Sequence, residues 1–374
     1  MRGWFYDRLG DHIDAPLFVN GKTALMLASK NGDEDFMQRV LAENATVDVA
    51  RKDFSDTALM YASKYGHVGC VNILIASNAT VDLTQHSGYT ALMLASDRGH
   101  FDCVYSLLAA NASVDPTQHL GLNALMLASL GGHDECVRAQ LDRADVDYEN
   151  DDGRTALMYA SNQGKITCVR ALLDRADANY ASRTDRGKTA LMFASRRGHV
   201  NCIETLLRAN AVVDTKDAFG LTALMLASYH GHIRCVNALL TADAIVDCTP
   251  NVVEIRCMTW MIAEYWTTWT ALAFASSKKG RVECVHALLD AGATDKEGVA
   301  MKVASTNDRV DILKLLIDAF PPDDFCTAAM QWSIVATCAA VHDDDAIFAQ
   351  SQAAFLEKLP HFSENLVRAR LVKN

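Results

Sequence analysis

Apolar residues fall along this chain in short paired bursts, each pair followed by a polar turn. In one representative stretch, Thr90-Ala91-Leu92-Met93-Leu94-Ala95-Ser96 ends at Gly99, and His100-Phe101-Asp102-Cys103-Val104-Tyr105-Ser106-Leu107-Leu108 follows. Leu92 and Ala95 are three apart and share one helical face. Cys103, Val104, Leu107 and Leu108 fall at i, i+1, i+4 and i+5, which makes one apolar stripe. Thr90 is suited to start the first helix, because its hydroxyl accepts an orphan backbone N–H. The second helix is followed by Asn44, Asn78, Asn111 or Asn210, with Asp243 and Gly292 at the same place in later copies. These residue types tolerate the left-handed conformation that closes a helix. An extended stretch such as Ala112 to Asp115 and a turn containing Gly121 then predict a protruding β-hairpin.

The pattern recurs. Thr-Ala-Leu-Met begins at Thr23, Thr57, Thr90, Thr155, Thr189 and Thr222, and Asn123 leads a variant copy, with gaps of 34, 33, 33, 32, 34 and 33 residues. Weaker copies start at Thr270 and Val299. Two helices of about eight residues do not hold together alone in water, whereas stacking at roughly 10 Å per copy buries both faces. The expected fold is an all-α repeat solenoid of helix-turn-helix units with protruding β-hairpin loops, about nine repeats plus end caps.

The Gly-His turns (Gly66-His67, Gly99-His100, Gly132-His133, Gly198-His199, Gly231-His232), the period and the paired leucines near the second helix end resemble the ankyrin repeat family over roughly residues 15 to 320. Departures are Ala24 and its counterparts in place of Pro, Met26 and its counterparts in place of His, and Asp48, Asp82, Asp115 and Asp147 where the family often has Asn. The resemblance implies binding to other proteins and leaves the partner open.

Residues 1–20 are expected to form an N-terminal cap through Trp4, Phe5 and Leu9, and residues 21–320 the repeat domain. The gap from Thr222 to Thr270 is 48 residues, which places an insertion at about 249–268 carrying Trp260, Tyr265 and Trp266, with Trp269 beside it. This reads as an apolar recognition loop, as an insertion folded back on the repeat edge, or as an unspliced piece of the gene. Residues 321–374 read as two helices forming a C-terminal cap or degenerate repeat, with a partner-docking motif as the alternative.

Composition narrows the function. A net charge of −11 and a pI near 5.5 argue against nucleic acid as the main partner. No N-terminal signal peptide is evident, and the run from Cys326 to Val341 is too short to span a membrane. Eleven cysteines without a pairing scheme fit a reducing, cytoplasmic location. A monomer is expected.

Several short motifs have the spacing of chemical sites, and packing accounts for them. His-x-x-Cys pairs at His67/Cys70, His100/Cys103, His133/Cys136, His199/Cys202 and His232/Cys235 have zinc-ligand spacing, but the cysteines sit on the buried stripe and the histidines at helix starts near solvent. Neighbouring cysteines one repeat apart lie too far for disulfides. Gly21-Lys22-Thr23 and Gly187-Lys188-Thr189 imitate the end of a phosphate loop, yet Pro16 and Ser182 occupy the slot that needs glycine. Asp147 to Gly153 has its glycine at the wrong place for a calcium loop. No cofactor, metal or catalytic constellation is expected, so the chain reads as a non-enzyme.

Binding residues are expected at the non-periodic positions, on the concave face: the end of each first helix and the hairpin tips. The candidates are Lys64, Tyr65, Arg98, Arg196, Arg197 and Tyr229 in the helix row, and Tyr89, Leu120, Leu122, Arg186, Lys188, Phe219 and Leu221 in the hairpin row. Basic residues in the first row and apolar ones in the second point to a partner of acidic and apolar character across the third to seventh repeats. The leading function is an intracellular adaptor or scaffold. The alternative is a substrate-recognition subunit of a modifying complex such as a ubiquitin ligase, docking through the C-terminal segment.

Overall fold

The computed structural model describes residues 14, 21–51, 54–115, 117–250, 268–278, 281–295, 298–307 and 309–320. The expected N-terminal cap apart from Asp14, nearly all of the insertion and the C-terminal segment lie outside these residues. Two compact units, Met1–Val212 and Val213–Asn374, make up the chain.

Eighteen helices are found among the described residues. In the first unit they are α1 (Ala24–Asn31), α2 (Glu34–Ala42), α3 (Ala58–Tyr65), α4 (Val68–Ala76), α5 (Ala91–Arg98), α6 (Phe101–Ala109), α7 (Ala124–Gly131), α8 (Asp134–Gln140), α9 (Ala156–Gln163), α10 (Ile166–Leu172), α11 (Ala190–Arg197) and α12 (Val200–Arg208). The second unit holds α13 (Ala223–His230), α14 (Ile233–Thr241), α15 (Ala271–Ser276), α16 (Val282–Asp290), α17 (Val299–Thr306) and α18 (Val310–Ala319). Within each unit, first helices pack on first helices of the next repeat and second on second.

The repeated residues account for this local structure. Thr23, Thr57, Thr90, Thr155, Thr189 and Thr222 each cap a first helix by accepting from the N–H three residues on, and Asn123 does the same for Met126 N at 2.9 Å. Those third residues are the methionines, all buried. Met60 and Met225 also place Sδ near the capping N–H, at 3.4 and 3.5 Å, a weak acceptor in a position otherwise without one. Second helices bury Cys, Val or Ile, and Leu: Cys70, Val71 and Leu74 in α4, Cys202, Ile203 and Leu206 in α12. Each fully buried Leu contributes about 1.5–3 kcal/mol.

Polar ties join one repeat to the next. Asp48 accepts from Thr80 N and Thr80 Oγ1, at 3.1 and 2.6 Å. The same tie recurs from Asp14 to Thr46, Asp82 to Ser113 and Asp147 to Asp177, and in the second unit from Asp214 to Ile245 and Asp247 to Thr294. Asn179 makes it to Val212 N at 2.6 Å, so Asp and Asn serve equally here, because only an acceptor oxygen is needed.

The histidines make a second tie and are not simply near solvent, as the sequence suggests. His67, His100, His133 and His199 are half-buried, and each Nε2 donates to a last-turn carbonyl of the preceding first helix: Lys30, Lys64, Asp97 and Asn162, at 3.1–3.2 Å. These carbonyls have no partner within their own helix. The ring lies on the glycine that closes that helix. Gly99 has φ +73, and a Cβ there would stand 2.3 Å from His133 Nδ1.

The hairpins are shorter than expected. No strand occurs among the described residues. Each tip closes on a tight turn, as in Gln85 N to Tyr89 O at 3.0 Å with Gly88 N to Gln85 O at 2.8 Å. The chain then enters the Thr90 cap, leaving no residues for a ladder. Successive tips touch instead: His86 N donates to Phe54 O and His119 N to Ser87 O.

One core position breaks the pattern. Gln140 stands in α8 where other repeats place Leu74, Leu107 and Leu172, and it is fully buried. Its Nε2 donates to Ser96 Oγ (3.1 Å) and Cys136 O (2.9 Å), while Oε1 has no partner. Gln140→Leu is therefore expected to raise stability by about 1 kcal/mol in urea denaturation, because a lone buried acceptor costs that much. Gly99→Ala is expected to cost about 2 kcal/mol, and Gly292→Ala less, since at φ +82 a Cβ there meets nothing within 4 Å.

Candidate partner-binding surface

The last turn of each of the first seven first helices (α1, α3, α5, α7, α9, α11 and α13) ends at a left-handed glycine, so the residues just before it sit past the packed stripe and remain outside the core. Tyr65 is 43% exposed, Arg98, Arg196 and Arg197 are exposed, and Lys64 is half-buried. Neighbouring ends touch lightly. Lys30 Nζ lies 5.7 Å from the Tyr65 ring centre, and Arg197 Nε donates to Asn162 Oδ1 at 3.2 Å. Arg98 Nε lies 3.5 Å from Asp97 Oδ2. Exposed pairs of this kind are worth about 0–1 kcal/mol, so a partner separates them at little cost.

The loop tips are more selective. Leu120 is 64% exposed and is held by its backbone, N–H to Gln118 Oε1 at 2.6 Å and carbonyl to Asn150 Nδ2 at 3.2 Å. Leu122, expected beside it, is 8% exposed. It precedes the Asn123 cap, and its carbonyl closes the turn with Gln118 N, which turns the side chain into the repeat. Leu122 is thereby removed from the contact surface. Tyr89 is half-buried, and burial, followed by the charge of Asp97, pushes its phenol pKa up.

The four basic residues expected in the Thr189 repeat, Arg186, Lys188, Arg196 and Arg197, divide in two. Asp185 holds Lys188 Nζ at 2.7 Å and Arg154 Nε at 3.5 Å, and the Arg154 guanidinium stacks 5.1 Å from the Phe193 ring centre. Lys188 is thus engaged within the protein. Arg186 stays exposed at the tip with φ 60, and Arg196 and Arg197 stay exposed at the helix end.

In the second unit, Phe219 and Leu221 are half-buried, and both N–H groups donate to Asp217 Oδ1 at 2.9 Å. Tyr229 is half-buried too. Lys278 Nζ and the Arg281 guanidinium lie 4.2 and 5.2 Å from its ring centre, and Phe274 meets it edge-on at 5.9 Å. Its ring is already occupied by cations, so less of it is open than the sequence implies.

Two exposed aromatic residues escaped the sequence reading. Phe101 and Tyr105, on the outer face of α6, are 36% and 64% exposed. The signal lies in the Tyr105 slot, which holds Gln38, Asn72, Arg138, Arg170, Glu204 and Asn237 in other repeats, whereas the Phe101 slot is elsewhere either acidic (Glu34, Asp134) or aliphatic (Val68, Ile166, Val200, Ile233).

The cysteines are buried, and their chemistry follows from that. Burial first, then nearby acids, pushes Cys103 up to about 11 and Cys136 up to about 12, and burial alone pushes Cys202 up to about 11. A protonated, buried thiol is a poor nucleophile and a poor ligand. Among the described residues no cluster of three His, Cys, Asp or Glu side chains is placed to hold a metal ion, and no helix is long and apolar enough to cross a membrane.

Stacked helix pairs with repeating buried stripes and varied exposed ends define a repeat-based binding protein. The family model for ankyrin repeats (three copies) matches residues 8–85, 25–118, 92–184 and 175–252, and the chain belongs to the ankyrin repeat family. The human ASB11 ankyrin repeat domain is similar at 26% identity and TM-score 0.53, over 60% of this chain and 99% of that one. The ankyrin repeat domain of Bcl-3, a member of the IkappaB protein family, is similar at 26% identity and TM-score 0.52, over 59% of this chain and 99% of that one. A comparison with curated proteins finds no match. Ankyrin repeats are generally protein–protein interaction modules, and the family is typically non-catalytic.

Because the folded thiols hold their protons above the ordinary cysteine value of 9.0, their contribution is complete below pH 9. It declines as pH rises through the folded values of about 11 to 12. Thermal melting is expected to be level from pH 7 to about 8.5 and to fall beyond about pH 9. In the same protein at pH 8, thiol labelling read by peptide mass spectrometry should spare Cys70, Cys103, Cys136, Cys168 and Cys202 until the protein is unfolded.

Proposed function

We propose that this protein is an intracellular adaptor or scaffold that holds a partner protein along the first-helix ends and loop tips of its first unit. The observation that carries this reading is the contrast between two sets of positions. From Thr57 to Arg197 the buried slots repeat almost residue for residue, whereas the exposed slots hold Tyr65, Arg98, Leu120, Arg186, Arg196 and Arg197, which do not repeat. Stacking requires the first set. Selection of a partner uses the second, since Arg and Tyr are the side chains enriched at binding hot spots.

The partner that fits is acidic with apolar anchors. Exposed cations lie in the helix row, and Phe54, Tyr65 and Leu120 offer apolar contact. The net charge of −11 makes nucleic acid a poor match. Phe219, Leu221 and Tyr229 would supply a separate, smaller contact on the second unit. The buried column of protonated thiols is in keeping with a reducing, cytoplasmic setting, and the protein is proposed to act as a monomer.

Arg196→Glu combined with Arg197→Glu tests the location. Both side chains are exposed, so helicity by circular dichroism and the melting temperature should not change. Affinity capture followed by mass spectrometry should lose the partner recovered with the unaltered protein. Undiminished capture removes this patch from the reading.

A further inference from the structure

We propose that the outer face of the second helices in the Thr57 and Thr90 repeats, α4 and α6, is a second docking surface, and that it takes an amphipathic helix bearing leucine-type and lysine or arginine side chains. This face is separate from the row of first-helix ends and does not depend on it.

The first argument is composition against position. A helix with one face in water is ordinarily polar on that face. That holds for α12, with Asn201, Glu204 and Arg208 outward, and for α14, with Arg234, Asn237 and Thr241 outward. By contrast, α4 reads Val-Gly-Cys-Val-Asn-Ile-Leu-Ile-Ala, with Asn72 its one polar side chain. Cys70, Val71 and Leu74 fill the core, while Val68, Ile73 and Ile75 remain half-exposed and Ala76 exposed. Next to it, α6 presents Phe101 and Tyr105, ring centres 6.3 Å apart. Among the described residues these are the only exposed large hydrophobic side chains on any second helix.

The second argument is shape. Gly69 lies inside α4, where glycine costs about 0.5–1 kcal/mol relative to alanine. A Cβ at Gly69 would stand 1.7 Å from Glu34 Oε1. The glycine therefore lets the Glu34 carboxylate lie across bare helix backbone at the edge of the apolar strip.

Charge selects the occupant. Glu34 and Asp35 border the strip on the α2 side, and Asp102 and Glu135 border it on the other, none of them in an ion pair among the described residues. Asp134 is paired only loosely with Arg138, at 4.0 Å. These acids suit the positive helix N-termini they occupy, and they make the N-terminal edge of the apolar strip acidic, whereas Arg39, Arg138 and Arg143 lie toward its C-terminal end. A basic amphipathic helix complements both features, with anchors at i, i+3 or i+4, and i+7. A second copy of this chain would oppose acid to acid, and an anionic membrane surface is repelled for the same reason.

The test uses the full chain and two fluorescent synthetic amphipathic peptides, one of leucine and lysine and one of leucine and glutamate, followed by anisotropy at physiological salt. The leucine–lysine peptide should bind saturably and the leucine–glutamate peptide should not. Phe101→Ser combined with Tyr105→Ser should weaken binding about tenfold or more, the scale of losing a central aromatic anchor. Glu34→Lys should weaken it several-fold. Glu204→Lys, the same charge change on the outer face of α12, should leave it within about twofold, and Arg196→Glu with Arg197→Glu should not weaken it. Circular dichroism of each variant establishes that it is folded. No saturable binding, equal loss with Glu204→Lys and Glu34→Lys, or no loss with the double serine variant overturns the proposal. Self-association of the unaltered chain that the serine variant abolishes assigns the face to a second copy and overturns the proposed occupant.

Discussion

Everything in this protein depends on helices too short to be stable alone being covered on both faces by the repeats before and after them. An isolated helix of under about 12 residues is marginal in water, and each of the helices found here has between 6 and 10. Their stability comes from the neighbours: Leu92, Met93 and Ala95 of α5 are buried to within 1%, between α3 on one side and α7 on the other. The constraint fixes the stripe residues and leaves the exposed side chains at the helix ends and tips free to differ from repeat to repeat. The proposed partner contact is assigned to those positions for that reason.

Polar groups then set the spacing between repeats. The aspartate-to-threonine tie and the histidine-to-carbonyl tie both use backbone groups that a helix or loop end cannot satisfy internally. Each tie joins one repeat to the next only when the two are in register. The histidine also explains the Gly-His pair as a single device. Glycine is needed for the left-handed turn, and its lack of a Cβ gives the next repeat's ring room to lie over the turn and reach the carbonyl behind it. Lys165 takes the ring's place over Gly132, and in the second unit Arg281 lies over Gly231. The space over the glycine therefore accepts other long, flexible side chains.

The helix pairs, their caps and the buried cysteines were legible in the chain because a periodic apolar pattern reports burial directly. Exposure was less legible, for physical reasons visible at particular residues. Leu122 looks like a tip residue, but it precedes a cap and is drawn inward. Lys188 looks like part of a basic cluster, but Asp185, three residues away, neutralises it. Tyr229 looks open, but cations from 49 and 52 residues further along the chain cover its ring. Phe101 and Tyr105 are masked in the opposite way: the inward apolar stripe of the same helix accounts for its hydrophobic character and hides a second, outward one.

Amide hydrogen exchange on the whole chain, resolved by peptide, tests the stacking most directly. The account predicts strong protection in the first helices recurring about every 33 residues, from Ala58–Tyr65 through Ala190–Arg197, with rapid exchange at the tips around Leu120 and Arg186 between them. Protection that is uniform along the chain, or that is strong at the tips and weak in the first helices, would contradict it.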